Sequence, residues 1–325
     1  MKILKHFNTI VLSVAMLSLF VACGSEEGSS ASSDAPLVIG TGGSSGTYYA
    51  VGAGMSQVIN NNSEKLNTVS QGTNGATENV RLLKSGEIQV GFGNWDALYF
   101  GNNGGGPFEG EEQGTLSLMN LYLSGGQMVV DASSDIESFD DLRGKSINLG
   151  PPGSTITDMS IIMLEAHGID HEEDINPYYL DFAEGGRMLG DGDLDATFYV
   201  SGIPTAGVID LSSSSEIRMI SLDDSISDDI IEQYPYYNKL TIPAGTYSGI
   251  DYDVETLQLW TSLMVSEDMS DDVAYEIVST LLENLDKFKE VHNVGEDFSL
   301  ENAVESPISI HPGAEKYYKE KGVLE

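Results

Sequence analysis

Two glycine-rich turns carry the side chains best placed to do chemistry. The first is Gly42-Gly43-Ser44-Ser45-Gly46, followed by Thr47, Tyr48 and Tyr49; the second is Gly153-Ser154-Thr155, followed by Thr157. The first turn fits neither phosphate-binding fingerprint: Ser45 stands where G-x-G-x-x-G needs its third glycine, and no lysine completes a phosphate loop. It does fit G-x-S-x-G, so one expectation is a secreted serine hydrolase with Ser44 as nucleophile and His292 or His311 as base. The other is a ligand site at a helix N-terminus, where unpaired N–H groups and the helix dipole favour a carboxylate. The hydroxyls of Ser44, Ser45 and Thr47 would share that space, with Tyr48 and Tyr49 as walls. Ser154, Thr155 and Thr157 would offer the same chemistry from a second lobe. Trp95 and Asp96 follow an apolar run that ends at Phe92, the position where parallel sheets place ligands.

Other candidates fall away on spacing. Asp191, Asp193 and Asp195 alternate, but Ala196 takes the place of the glycine that a calcium loop of the EF type requires. His167 and His171 lie outside any H-E-x-x-H pattern. No metal and no cofactor is expected.

The elements that must hold these turns read as α/β. Leu37–Thr41, Thr68–Ser70 and Ile88–Phe92 are strand-like and alternate with helical patterns over 47–60 and 76–84, Gly86 closing the second. This β-α-β-α-β order predicts a parallel sheet. Residues 102–114 form a Gly-rich acidic loop. Leu116–Ser124 and Met128–Asp131 read as two strands, 138–142 as a short helix, and 144–150 as a strand leading into the second turn and a helix over 157–166. The plan thus repeats, as if a second lobe begins near residue 125. Ala196–Val200 is a further buried strand, Ser270–Leu285 an amphipathic helix with Val273, Ile277, Leu281 and Leu285 on one face, and Ala314–Lys321 a closing helix.

Charge and targeting narrow the function. The 325 residues hold 15 Lys and Arg against 51 Asp and Glu, a formal charge of −36. Nucleic acid is excluded as a partner, since phosphate contacts need clustered basic residues. The acids are dispersed, as in halophilic proteins, which stay soluble in concentrated salt where the screening length shortens to about 3 Å at 1 M. Lys2 and Lys5, then Ile10–Phe20, then Val21-Ala22-Cys23-Gly24 read as a lipoprotein signal peptide over residues 1–22. Cys23, the only cysteine, would carry the lipid, and residues 23–36 would be a flexible tether. The expected location is extracytoplasmic, anchored to the membrane, in the periplasm or on the outer face of the cell.

Several stretches together resemble the TAXI family, the solute-binding receptors of TRAP-type secondary transporters. They are Ile39–Gly43 with Gly46–Tyr49, Asn79–Gly86, Asp141–Lys145, Gly150–Ser154, Leu194–Pro204, Ala244–Tyr247, His311–Ala314 and Tyr317–Gly322. The resemblance implies a two-lobed periplasmic-binding-protein fold of the second type, with a hinge and an interlobe ligand cleft. Lobe one would span 37–124, completed by about 240–325, and lobe two 125–239. It further implies a non-catalytic monomer that delivers a small organic anion, such as glutamate, glutamine or a dicarboxylate, to a TRAP-type permease. Carried over by position, Gly43, Ser44, Thr47 and Tyr48 would bind from lobe one, and Ser154, Thr155 and Thr157 from lobe two. Tyr199 and Gly202 would lie close by. Asn94, Trp95 and Asp96 would occupy the site after the third strand, where Asn94 and Trp95 depart from the Gln-Ser/Thr-Asp-like run of many relatives.

Overall fold

A computed structural model describes residues 35–325; the expected signal peptide, Cys23 and most of the expected tether lie outside the described residues. The chain opens with strand β1 (Leu37–Gly40), helix α1 (Thr47–Asn62), β2 (Thr68–Gln71), α2 (Ala76–Ser85), β3 (Val90–Asn94) and α3 (Trp95–Asn103). The long strand β4 (Thr115–Asp131) leads to β5 (Ser146–Asn148), α4 (Thr155–Ala166), β6 (Asn176–Tyr178), α5 (Phe182–Asp191) and β7 (Ala196–Ser201). Next come α6 (Ala206–Ser214), β8 (Ile217–Ile220), α7 (Asp224–Gln233), β9 (Asn238–Ile242) and the second long strand, β10 (Val254–Ser266). Helices α8 (Asp271–Leu282), α9 (Asp286–Lys289), α10 (Leu300–Ala303) and α11 (Pro312–Lys321) close the chain.

The strands form one curled sheet in the order β2-β1-β3-β10-β4-β7-β5-β6, with β8 on β4 and β9 on β10. β1 pairs in parallel with both β2 and β3, as the alternating pattern predicts, and β5 pairs in parallel with β6 and β7. The described residues form two α/β lobes, as the sequence predicts. Each lobe has its own core. One gathers Val51, Met55, Phe92, Leu118, Leu263, Ile277 and Leu281; the other gathers Val130, Phe139, Ile147, Met163 and Phe198. The helix expected over 270–285 ends at Leu282, and its stripe is half right in depth: Ile277 and Leu281 are fully buried, Val273 packs at the margin, and Leu285 lies beyond α8, at the start of α9.

The two long strands join the lobes. β4 runs antiparallel to β10 from Thr115 to Gly125, then pairs with β7 from Gly125 to Val130. β10 pairs with β9 up to Gln258 and with β3 from Thr261. Residues 115–131 are thus one continuous strand, not two. Gly125-Gly126 looks like a break in the sequence but serves a close crossing. A Cβ on Gly125 would sit 2.5 Å from Leu240 and 2.6 Å from Ile203, and one on Gly126 would sit 2.7 Å from the Met159 sulfur. Glycine is used there because nothing larger fits, and extended backbone continues through it.

Candidate functional site

Four helices point their N-termini at one cavity of about 60 Å3 between the lobes. α1 contributes Gly46, Thr47 and Tyr48, and α2 contributes Asn74, Gly75 and Ala76. From the other lobe α4 contributes Ser154, Thr155 and Ile156, and α5 contributes Asp181 and Phe182. Gly42, Gly43, Ser45, Asn94, Pro151, Val200 and Ser201 complete the lining. Among the described residues Asp181 is the only charged side chain that lines it, and no lysine or arginine does.

The four N-termini are not equivalent. Ser154 caps α4 through the amide of Thr157, and Asp181 caps α5 through the amide of Glu184 at 2.9 Å. Gly46 and Gly75, which precede α1 and α2, supply no side-chain cap. The first two amides of each, those of Thr47 and Tyr48 and of Ala76 and Thr77, have no partner among the described residues and can meet an anion, while the Tyr49 amide is taken by the Gly46 carbonyl and the Glu78 amide by Gly153; each aligned helix places about half a positive charge at its N-terminus. Gly75 has φ +118°, a conformation open to glycine and strained for other residues. That backbone turns the start of α2 into the cavity.

The cleft is closed. Thr47 and Ser201 share a hydrogen bond of 2.9 Å between their hydroxyls, and Thr155 Oγ1 donates to Asp96 Oδ1 at 2.9 Å. The Glu78 amide donates to the Gly153 carbonyl at 3.3 Å. Asp96, on α3, is fully buried, and burial together with the neighbouring Asp158 carboxylate pushes it up to about 7. Asp158, on α4, is pushed up to about 6 by burial, against the pull of Arg81.

Behind the cavity a polar chain ties the site to the long strands. The Tyr48 hydroxyl donates to Asn94 Oδ1, Asn94 Nδ2 donates to Thr261 Oγ1 at 3.1 Å, and Thr261 shares a hydrogen bond of 2.8 Å with Ser124. Burial holds the Tyr48 phenol well above its usual range, so it stays a neutral donor.

Of the twelve residues expected at the site, Gly43, Thr47, Tyr48, Asn94, Ser154 and Thr155 line the cavity. The other six sit elsewhere. Ser44 is exposed at the tip of its turn. Thr157 Oγ1 turns back to the carbonyl of Pro151 at 2.8 Å. The Trp95 indole donates to Asn120 Oδ1 at 2.9 Å, inside the protein. Asp96 bonds across the lobes. Tyr199 lies beneath Phe182, ring centroids 4.8 Å apart, and supports the wall. Gly202 packs so tightly that a Cβ would come within 2.5 Å of Val294. Sequence reasoning missed the α2 and α5 N-termini and Ser201. The α2 turn was readable, since Gly72-Thr73-Asn74-Gly75 repeats the strand–turn–helix plan; Asp181 three residues before Glu184 was a capping pattern.

The hydrolase constellation is not assembled. His292 accepts from the Val294 amide, and His311 is buried, accepting from the Gly313 amide while its other ring nitrogen meets the Met269 carbonyl. Both rings are committed to local structure, and neither hydrogen-bonds to Ser44 among the described residues.

The sequence profile of the NMT1-like family matches residues 39–322. Among solved structures, the alkanesulfonate-binding protein SsuA from Xanthomonas axonopodis pv. citri, bound to MOPS, is similar at 14% identity, over 88% of this chain and 90% of that one, with a TM-score of 0.50. The protein XAC2383 from Xanthomonas citri, bound to ATP, is similar at 12% identity, over 88% and 96% of the two chains, with a TM-score of 0.51.

Proposed function

The chain belongs to the NMT1-like family, and on that premise we propose that it is an extracytoplasmic solute-binding receptor for a small organic anion. The observation that carries this reading is the convergence of four helix N-termini, two without side-chain caps, on an interlobe cavity free of lysine and arginine. Such a site holds a carboxylate or a related anion through peptide amides and neutral hydroxyls. Apolar walls from Ile156, Phe182 and Val200 favour an anion with a short carbon skeleton. Solute capture is then a shift of an open–closed equilibrium toward the closed form.

The finer reading follows the TAXI resemblance. The receptor is tethered by lipid at Cys23, its lobes divide near residues 125 and 240, and it acts as a monomer that passes glutamate, glutamine or a dicarboxylate to a TRAP-type permease. Catalysis has no part in it, and the commitment of His292 and His311 elsewhere supports that view. The test is a thermal-shift screen in high salt with glutamate, glutamine, 2-oxoglutarate and short alkanesulfonates. A solute at a hundred times its Kd adds about 2.7 kcal/mol, a rise of several degrees in Tm for a chain of this size. One or more carboxylates should give that rise, and Thr47→Val should reduce it. The reading fails if no anion stabilises the protein, or if the stabilising solute binds equally well after Thr47→Val and Ser154→Ala.

A further inference from the structure

Asp96 stands apart from the residues that line the cavity, yet it spans the same gap. Its Oδ1 accepts two hydrogen bonds, one from the Ala97 amide at 2.7 Å and one from Thr155 across the cleft at 2.9 Å. Its Oδ2 is buried and has no hydrogen-bond partner among the described residues. An ionised carboxylate with one oxygen shut away from water and unpaired is costly, and a protonated one is far less so. Among the described residues no cation acts on this carboxyl. From α4 the nearby ionisable group is the Asp158 carboxylate, itself half-buried, and from α1 it is the Tyr48 phenol. From the segment after α7 come the phenols of Tyr236 and Tyr237, whose hydroxyls are also unpartnered. Arg81, on α2, acts on Asp158. Opening the lobes would break the Thr155 bond and let water reach the carboxyl.

We infer that Asp96 is a proton-carrying latch: closing the cleft over the solute takes up a proton at its Oδ2, and opening releases it. This deepens the receptor reading by naming what regulates its closure. The sign follows from linkage. The carboxyl is pushed up to about 7 in the closed form, and it returns toward about 3.9 when solvated. Between those values the closed form binds more protons than the open one, so the closed-to-open ratio falls as pH rises, by up to about tenfold per unit, and levels off above about 7.

The test needs no solute, so a failure to find one leaves it intact. Nitroxide labels on Glu64→Cys and Glu172→Cys, exposed positions on the two lobes, in a Cys23→Ser background, report the interlobe distance by pulsed electron paramagnetic resonance. Carbon-13 labelling of aspartate follows the carboxyl itself. We expect the closed population to fall between pH 5 and pH 7.5, an aspartate carboxyl to titrate near neutrality, and both effects to vanish in Asp96→Asn. Thr155→Val, which keeps the shape but removes the donor, should lower the closed population and move the titration upward. The inference is overturned if the distance distribution ignores pH, or if the pH response persists in Asp96→Asn and disappears in Asp158→Asn. Should Asp96→Asn fail to fold, an unchanged titration and closed population in Thr155→Val overturn it equally.

Discussion

Asn79 shows how one buried side chain can shape a site it never touches. It has no exposed surface, and its Nδ2 lies 3.2 Å, 2.7 Å and 2.8 Å from the carbonyls of Gly40, Thr41 and Phe92. It therefore sutures the C-terminal ends of β1 and β3, from which the Gly42–Gly46 turn and Asn94 are hung. Leaving buried carbonyls without donors costs about 1–3 kcal/mol each at most. Asn79→Leu should lower unfolding stability by about 2–4 kcal/mol, read as a shift of the urea midpoint at constant slope, and should weaken solute binding as well. A midpoint within error of the parent would show that the suture is dispensable. At this scale the sequence was partly legible. Thr47, Ser154 and Thr155 announce themselves because a hydroxyl beside a glycine turn is a local pattern. Ser201 and the true place of Asp96 were not readable, because each is defined by a partner far along the chain, Thr47 for one and Thr155 for the other.

Among the elements, the contrast between capped and uncapped helices is the functional signal. α4 and α5 each have a leading amide capped by a side chain, Ser154 and Asp181, whereas α1 and α2 have no side-chain cap and keep their first two amides unpaired among the described residues. Gly46 adopts φ −95° and ψ 159°, dihedrals open to any residue, and a Cβ there would sit 3.3 Å from the Gly43 carbonyl, which must shift by a few tenths of an ångström to take it. Gly46→Asp would supply the missing cap and put a carboxylate where the solute's charge should go. The solute-free protein should keep its Tm or gain slightly, since aspartate exceeds glycine at this position by a few tenths of a kcal/mol. Affinity, measured by titration calorimetry, should drop by at least about tenfold, equivalent to about 1.4 kcal/mol. Equal affinity in the variant would remove the α1 N-terminus from the binding machinery. The strand–turn–helix units that build the α1, α2 and α4 N-termini were legible from periodicity and glycine placement; the β6–α5 unit was not read. β10 was not, because it changes partners midway and its outward and inward positions follow two different neighbours, β9 and β3. The single span of β4 was hidden by Gly125-Gly126, which mimics a turn wherever the close approach of Met159 and Leu240 is unseen.

The whole molecule carries a formal charge of −36, and its ion pairs do little to offset it. Those that form, such as Lys65–Glu276 and Lys239–Asp224, have an exposed or half-exposed lysine, and such pairs contribute about 0–1 kcal/mol. Repulsion among the remaining acids acts over about 10 Å at 0.1 M salt and about 3 Å at 1 M. The Tm of the solute-free protein should therefore climb between 0.1 M and 2 M KCl and keep its order among the variants above. A flat or falling profile would mean that the acidic surface is neutral to stability.

The route by which the lobes are joined also fixes when the protein can finish itself. β3 is complete by Asn94, but its neighbour in the sheet is β10, and the bond from Asn94 to Thr261 links residues 167 apart. A growing chain must therefore carry a bare strand edge through most of its synthesis, and loop-closure entropy makes such distant pairing slow. Release of the last quarter of the polypeptide, rather than of the first lobe, sets the moment at which the binding cleft comes into being.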